Sequence, residues 1–171
     1  MFRVAALLVV AMVHCAAAPA SAQDRKAELQ DLVFGACPKV LAGEISLADA
    51  EQVKALGFTP TAPRVTPAGE LPRAEKGAGS EKTVISSGPG TCSIWFGGPD
   101  NPTLAGGLIE RTIADKFSGN RTPQRLGDGT MLFVFRDKPT KRFLTLILAD
   151  AGGELGFSPA TTAIMANEKD K

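Results

Sequence analysis

Two consecutive segments near the C-terminus, residues 130–136 and 142–149, constrain the fold more than any other feature of this sequence. In both, apolar side chains occupy odd and even positions alike. Because successive side chains of a strand point to opposite faces, a strand with one wet face would alternate apolar and polar residues. The two segments therefore predict neighbouring central strands with cover on both faces, joined by a turn at Lys138, Pro139 and Thr140.

Three segments have the periodicity of helices that could supply this cover. The first begins near Asp24, has apolar residues at spacings of three and four, and is disturbed by Pro38 close to Cys37. The second spans residues 47–56, and the third spans residues 104–117.

A β-hairpin precedes the third helix. Residues 83–86 and 91–96 have strand composition and flank a Ser-Gly-Pro-Gly turn, and residues 161–166 form a weaker candidate strand. The predicted order is α-α-β-β-α-β-β(-β). It corresponds to an α+β domain with an antiparallel sheet of about four to five strands covered by helices.

The segment 59–81 separates the helical part, residues 24–58, from the β-rich part, residues 82–167. It contains four of the prolines and few large apolar residues. Such a stretch is unlike a packed element and predicts a proline-rich linker, either passive or acting as a binding arm.

The N-terminus has the organisation of a secretory signal peptide. Arg3 is followed by an uncharged apolar run and then by Ala20-Ser21-Ala22. Cys15 follows His14 rather than the small residue of a bacterial lipobox, so no lipid anchor is predicted. We therefore expect cleavage of residues 1–22, which leaves residues 23–171 as one small domain in the periplasm or outside the cell, with no stable membrane anchor.

Cleavage changes the charge and the chemistry of the chain. The sequence has 19 Lys and Arg against 18 Asp and Glu, so the loss of Arg3 leaves 18 of each sign. A chain without net positive charge provides no overall electrostatic attraction for nucleic acid or for an anionic membrane. The only histidine, His14, also leaves, which excludes histidine-dependent nucleophilic triads and zinc sites from the mature protein.

The remaining motifs predict no cofactor and no metal. The glycine-rich residues 87–91 lack the ending of a phosphate loop, and residues 127–129 and 150–154 lack the oxygen spacing of a calcium loop. Residues 97–102 precede a helix and fit either a capping loop or an anion site. A pair of catalytic carboxylates could meet only in the fold, but Glu110 and Asp115 are interpreted as solvated charges.

Two cysteines remain after cleavage, Cys37 and Cys92. In an oxidising compartment an even number favours a disulfide over two buried thiols. The bond would hold the first helix over the strand face that carries Ile94 and Phe96.

The order β-β-α-β-β(-β) over residues 82–166 is similar to that of PAS-like and profilin-like folds, which is an architectural resemblance only. The sequence favours a non-catalytic protein that binds another protein or an envelope component. The alternatives are a small-ligand binding domain, with an apolar pocket between the sheet and the third helix, and a carboxylate-dependent hydrolase of envelope glycans. Whether the chain is an enzyme stays open, with the lack of histidine and of nucleophile motifs arguing against it.

Overall fold

The computed structural model of the chain describes residues 22–67, 69–119, 122–126, 130–149 and 160–168. Apart from Ala22, the predicted signal peptide lies outside these residues, as do the acidic segments 127–129 and 150–154. In the described part of the chain, no helix has the length and apolarity required to cross a membrane.

The first helical segment continues past Pro38, where the sequence predicted a disturbance. It consists of helix α1 (Ala22–Asp31), one π-helical turn (Leu32–Ala36) and helix α2 (Cys37–Leu41). A proline inside a helix cannot donate a backbone hydrogen bond, and its ring crowds the carbonyl four residues earlier. In the π turn the Cys37 N–H donates a hydrogen bond to the Leu32 carbonyl, five residues earlier. This longer spacing widens the helix directly before the proline. Cys37 therefore lies inside a helical segment and not at its end.

Helix α3 (Ala50–Ala55) is shorter than the predicted 47–56 because Asp49 is its N-cap. The Asp49 carboxylate accepts hydrogen bonds of 2.9 and 3.2 Å from two backbone N–H groups of the first turn. The Ser46 hydroxyl, just before the helix, accepts a hydrogen bond from the Ala48 N–H. Gly57 follows the helix at a φ of 79°, a left-handed conformation that is common for glycine directly after a helix.

The prediction of a linker over residues 59–81 is wrong, because this segment forms two antiparallel strands and a short 3₁₀ turn. The strands are β1 (Thr59–Thr66) and β2 (Gly69–Lys76), and the turn spans Gly79–Glu81. Ala74 of β2 is fully buried between its cross-strand neighbours Pro60 and Ile85. The hairpin is thus part of the folded domain.

The register of β1 and β2 explains how strands tolerate these prolines. Strand β1 lies at the edge of the sheet, where a missing N–H is least costly. The pairing shifts from Thr61 opposite Arg73 to Arg64 opposite Leu71, so two residues of β1 face Pro72 alone. A β-bulge of this kind interrupts the hydrogen-bond ladder where Pro72 cannot donate.

The described residues form nine strands in one antiparallel sheet, which is more than the predicted four to five. The spatial order is β1-β2-β3-β4-β9-β8-β7-β5, and β6 also pairs with β7. The additional strands are the proline-rich hairpin and two short pieces beside β7. The remaining strands are β3 (Thr83–Gly88), β4 (Thr91–Gly97), β5 (Ser118–Gly119), β6 (Gln124–Arg125), β7 (Met131–Asp137), β8 (Arg142–Ala149) and β9 (Ala160–Asn167).

Helix α4 (Asn101–Ala114) connects the β3–β4 hairpin to the later strands and packs against α1. Gly107 allows the close approach, since a Cβ atom there would lie 2.4 Å from Cε of Lys26. Gln30 donates a hydrogen bond of 2.9 Å to the Gly107 carbonyl. The two helices therefore form one layer over the sheet.

This helical layer covers only one face of the sheet, contrary to the prediction of cover on both faces. The covered face and the helices share one hydrophobic core. Its fully buried members include Val33, Val53, Ile85, Ile94, Phe96, Leu104, Leu108, Leu144 and Leu146. The α+β class predicted from the sequence is confirmed, with a two-layer arrangement in the described part of the chain.

Candidate functional site

The first candidate site is the face of the sheet that none of the described helices covers, here called the uncovered face. Because side chains alternate along each strand, β7 and β8 present one set of residues to the core and the other set outward. Phe133 and Phe135 of β7 lie opposite Leu146 and Leu144 of β8, and all four are buried in the core. The intervening residues of both strands belong to the uncovered face.

Apolar side chains continue across this uncovered face, and they are partly exposed to solvent. Val134 is 39% exposed, and its apolar neighbours on the same face are half-buried. We define the open face by Trp95, Leu132, Val134, Phe143, Ile147 and Ile164.

The strand register places these side chains in continuous rows. One row runs through Trp95, Thr162, Ile147 and Leu132, which are directly opposed on β4, β9, β8 and β7. At a strand spacing of about 4.8 Å the row is about 14 Å long. The open face is therefore a broad surface and not an isolated exposed residue. Its centre includes the sole tryptophan of the sequence.

One flank of the open face carries a compact charged network on β2 and β3. Glu75 accepts hydrogen bonds from Arg73 and Lys82, with the Lys82 nitrogen 2.7 Å from the carboxylate. These bonds, Lys82 first, hold the pKa of Glu75 below its ordinary value of 4.5 against the opposing effect of burial. Val84 lies between Glu75 and Trp95 in the register and is fully buried, so the network adjoins the apolar centre and the open face ends at β3.

The opposite flank is also charged. Arg136 of β7 donates hydrogen bonds of 2.6 and 2.7 Å to the two carboxylate oxygens of Glu168. Its guanidinium also lies 5.8 Å from the ring centre of Phe143. The open face thus has an apolar centre between charged borders, which is the usual anatomy of a protein interface.

Grooves on the surface provide no clear catalytic arrangement. One groove has a volume of about 640 Å³ and lies between α1, the π turn and α3, with Leu32, Ile45 and Leu56 among its lining residues. It also contains Glu28 and Lys76, which form an ion pair with each other. Its walls are therefore mixed rather than apolar, and it does not lie between the sheet and α4, where the sequence placed a pocket.

Glu110 and Asp115, which were interpreted from the sequence as solvated charges, both form ion pairs. Glu110 lies 2.9 Å from the Lys26 nitrogen, and Asp115 lies 2.8 Å from the Arg111 side chain. Among the described residues, no group of three or more potential metal-binding side chains is found.

The glycine-rich loop before α4 holds part of α1 in place. Arg25, which is 92% buried, donates hydrogen bonds to the carbonyls of Gly97 at 3.1 Å and Glu81 at 3.3 Å. The Asn101 N–H donates to the Gly98 carbonyl at 3.0 Å. The carbonyls of Gly97 and Gly98 thus make internal contacts, and whether residues 97–102 act as a capping loop or an anion site stays a prediction.

The predicted disulfide between Cys37 and Cys92 is present, with 5.5 Å between the Cα atoms. It joins the helical layer to the covered side of β4, as the sequence predicted. A disulfide is compatible with an oxidising, extracytoplasmic compartment.

Comparison of this chain with protein families, with curated proteins and with solved structures finds no match in any of the three. Function must therefore be inferred from the geometry of the chain itself.

Proposed function

We propose that this chain is a non-catalytic protein of the periplasm or the extracellular space that binds another protein through the open face of its sheet. The observation that carries the proposal is the row of partly exposed side chains from Trp95 to Leu132, which is apolar apart from Thr162. A contiguous apolar surface of this breadth is costly to leave in water, and in soluble proteins it marks an interaction site.

The composition of the open face supports a protein partner in particular. Tryptophan and arginine dominate the binding energy of many protein interfaces. Trp95 lies in the apolar centre, with Arg73 on one border and Arg136 on the other. Broad surfaces of this kind suit a macromolecule, since small ligands are bound in concave sites that enclose most of their surface.

The alternative of a carboxylate-dependent hydrolase has less support. Such an enzyme needs two carboxylates on either side of its substrate. Of the four acids that line the two grooves, Glu28 pairs with Lys76, Asp115 pairs with Arg111, and Asp137 accepts a hydrogen bond from Thr140; the fourth is Asp31. The first three already have partners within the fold.

Site-specific photo-crosslinking in the cells that produce the protein tests the proposal. A photoreactive residue at Val134 probes the open face, and one at Val65 is a matched control. Both are exposed valines on strands, 39% and 77% exposed, but Val65 lies on the edge strand β1, away from the open face. We expect a discrete protein adduct from position 134 and none from position 65.

The isolated partner then allows a quantitative test. The Val134→Lys substitution places a charge in the apolar surface and should weaken the complex by about tenfold or more, whereas Val65→Lys should leave affinity unchanged. Equal adducts at both positions, or equal affinity of both variants, would show that the open face is not the binding surface.

A further inference from the structure

A second groove, of about 320 Å³, lies on the helix-covered side of the sheet near the β7–β8 turn. It is lined by residues from the end of α4, from the π turn and from β8. The groove is separate from the open face, because its strand residues point to the opposite side of the sheet. It therefore requires an explanation of its own.

Arg142, the first residue of β8, is the unusual member of this groove. Its Nε atom is buried without a hydrogen-bond partner, and its side chain forms no ion pair with any described residue. Asp137 lies directly opposite in the β7–β8 register, yet its carboxylate accepts a hydrogen bond from Thr140 of the turn. A buried guanidinium nitrogen without an acceptor is costly, and an anion that reaches the nitrogen would supply the missing acceptor.

The second arginine of the groove is already neutralised. Arg111 donates a hydrogen bond of 2.8 Å to Asp115, and its guanidinium lies 5.8 Å from the ring centre of Phe34. Among the described residues that line the groove, Arg142 is thus the cation without an ion pair. The groove also contains the carboxylate of Asp137, which keeps its negative charge, so a ligand with a single negative charge is favoured over a dianion such as phosphate.

Apolar side chains form the remaining walls. The rings of Phe34 and Phe117 pack edge to face with centres 6.1 Å apart, and Pro38 and Met165 also line the groove. Such walls suit an apolar group, and the volume lies at the small end of the range for ligand pockets.

We propose that this groove binds a small organic monocarboxylate, with its carboxylate on Arg142 and its apolar group against Phe34 and Phe117. A carboxylate matches the fork of donors on a guanidinium, and hydrogen bonds between charged groups are stronger than those between neutral ones. The proposal does not depend on the function assigned to the open face.

Isothermal titration calorimetry of the purified mature protein with benzoate and phenylacetate tests the site. The neutral amides of the same two acids have nearly the same shape but no charge. We expect saturable binding of at least one acid, about tenfold or more tighter than its amide, because only the acid compensates the charge of Arg142.

Two substitutions locate the binding. Arg142→Gln should weaken binding of the acid by about tenfold or more, since it removes the charge and the donor fork. Arg125→Gln is the matched control, because Arg125 is an exposed arginine on β6 and lies outside the groove. It should leave binding of the acid unchanged.

The absence of binding at millimolar acid, or equal binding of acid and amide, would overturn the proposal. So would equal affinity of Arg142→Gln and the unmodified protein. The comparison of acid with amide uses the unmodified protein, so it decides the question even if the Arg142 variant is unstable.

Discussion

The Cα atoms of Cys37 and Cys92 lie 5.5 Å apart, and the two sulfur atoms are bonded. Both residues are almost completely buried, one in the helical layer and the other on β4. The bond closes a sequence separation of 55 residues, which contains helix α3, the β1–β2 hairpin and β3. It therefore connects the first helical segment to the centre of the sheet across a third of the chain.

The double substitution Cys37→Ser and Cys92→Ser should lower the free energy of unfolding by about 2–4 kcal/mol, because the bond restricts the unfolded chain. Chemical denaturation followed by circular dichroism measures this difference. Reductant should destabilise the unmodified protein and leave the double variant unaffected. Equal stability of the two proteins without reductant would show that the bond contributes nothing.

The second prediction concerns the packing of the proline-rich hairpin, which substitutions at two alanines can test. Ala74 of β2 is fully buried, whereas Ala62 of β1 is exposed at the bulge. Ala74→Asp should cost about 3 kcal/mol or more, since it buries an unpaired charge. Ala62→Asp should change the free energy of unfolding by about 0.5 kcal/mol or less.

Denaturation curves of the two alanine variants measure both effects. A small effect at both positions would mean that β1 and β2 do not pack on the rest of the sheet. In that case the segment 59–81 would behave as the linker that its composition predicts.

The elements predicted correctly are those whose local sequence pattern agrees with the way they pack in the fold. The β3–β4 hairpin, strands β7 and β8 and helix α4 all occur close to their predicted positions. Residues 59–76 were missed because proline content argues against a strand. That argument holds for a central strand, and it fails here because β1 is an edge and Pro72 lies opposite a bulge.

The open face was missed for a different reason. Apolar residues on both sides of β7 and β8 were interpreted as evidence of two covering layers, although they fit equally well with a surface that a partner covers. A signal against full cover was present in β4, which is separated from β8 by β9 alone. Thr91 and Ser93 of β4 share the face of Trp95, whereas Cys92, Ile94 and Phe96 on the other face are apolar.

The network around Glu75 leads to the last prediction, which concerns pH. Hydrogen bonds from Lys82 and Arg73 lower the pKa of Glu75 from its ordinary value of 4.5 in the folded protein. A carboxyl group with a lowered pKa binds protons more weakly in the folded than in the unfolded state. Its contribution to stability is therefore fully present above that ordinary value and is lost as the pH falls through the lowered one.

The Glu75→Gln variant should accordingly be less stable than the unmodified protein at neutral pH, because it leaves Arg73 and Lys82 without their shared carboxylate. The difference should shrink below a pH of about 4.5, as Glu75 becomes protonated in the unmodified protein. Denaturant unfolding of both proteins over an acidic pH series measures this convergence. Glu70→Gln is the matched control, since Glu70 lies on the same strand but is exposed, and its effect should be small at every pH. A Glu75→Gln effect that stays constant into the acidic range would mean that the charge of Glu75 does not stabilise this border of the open face.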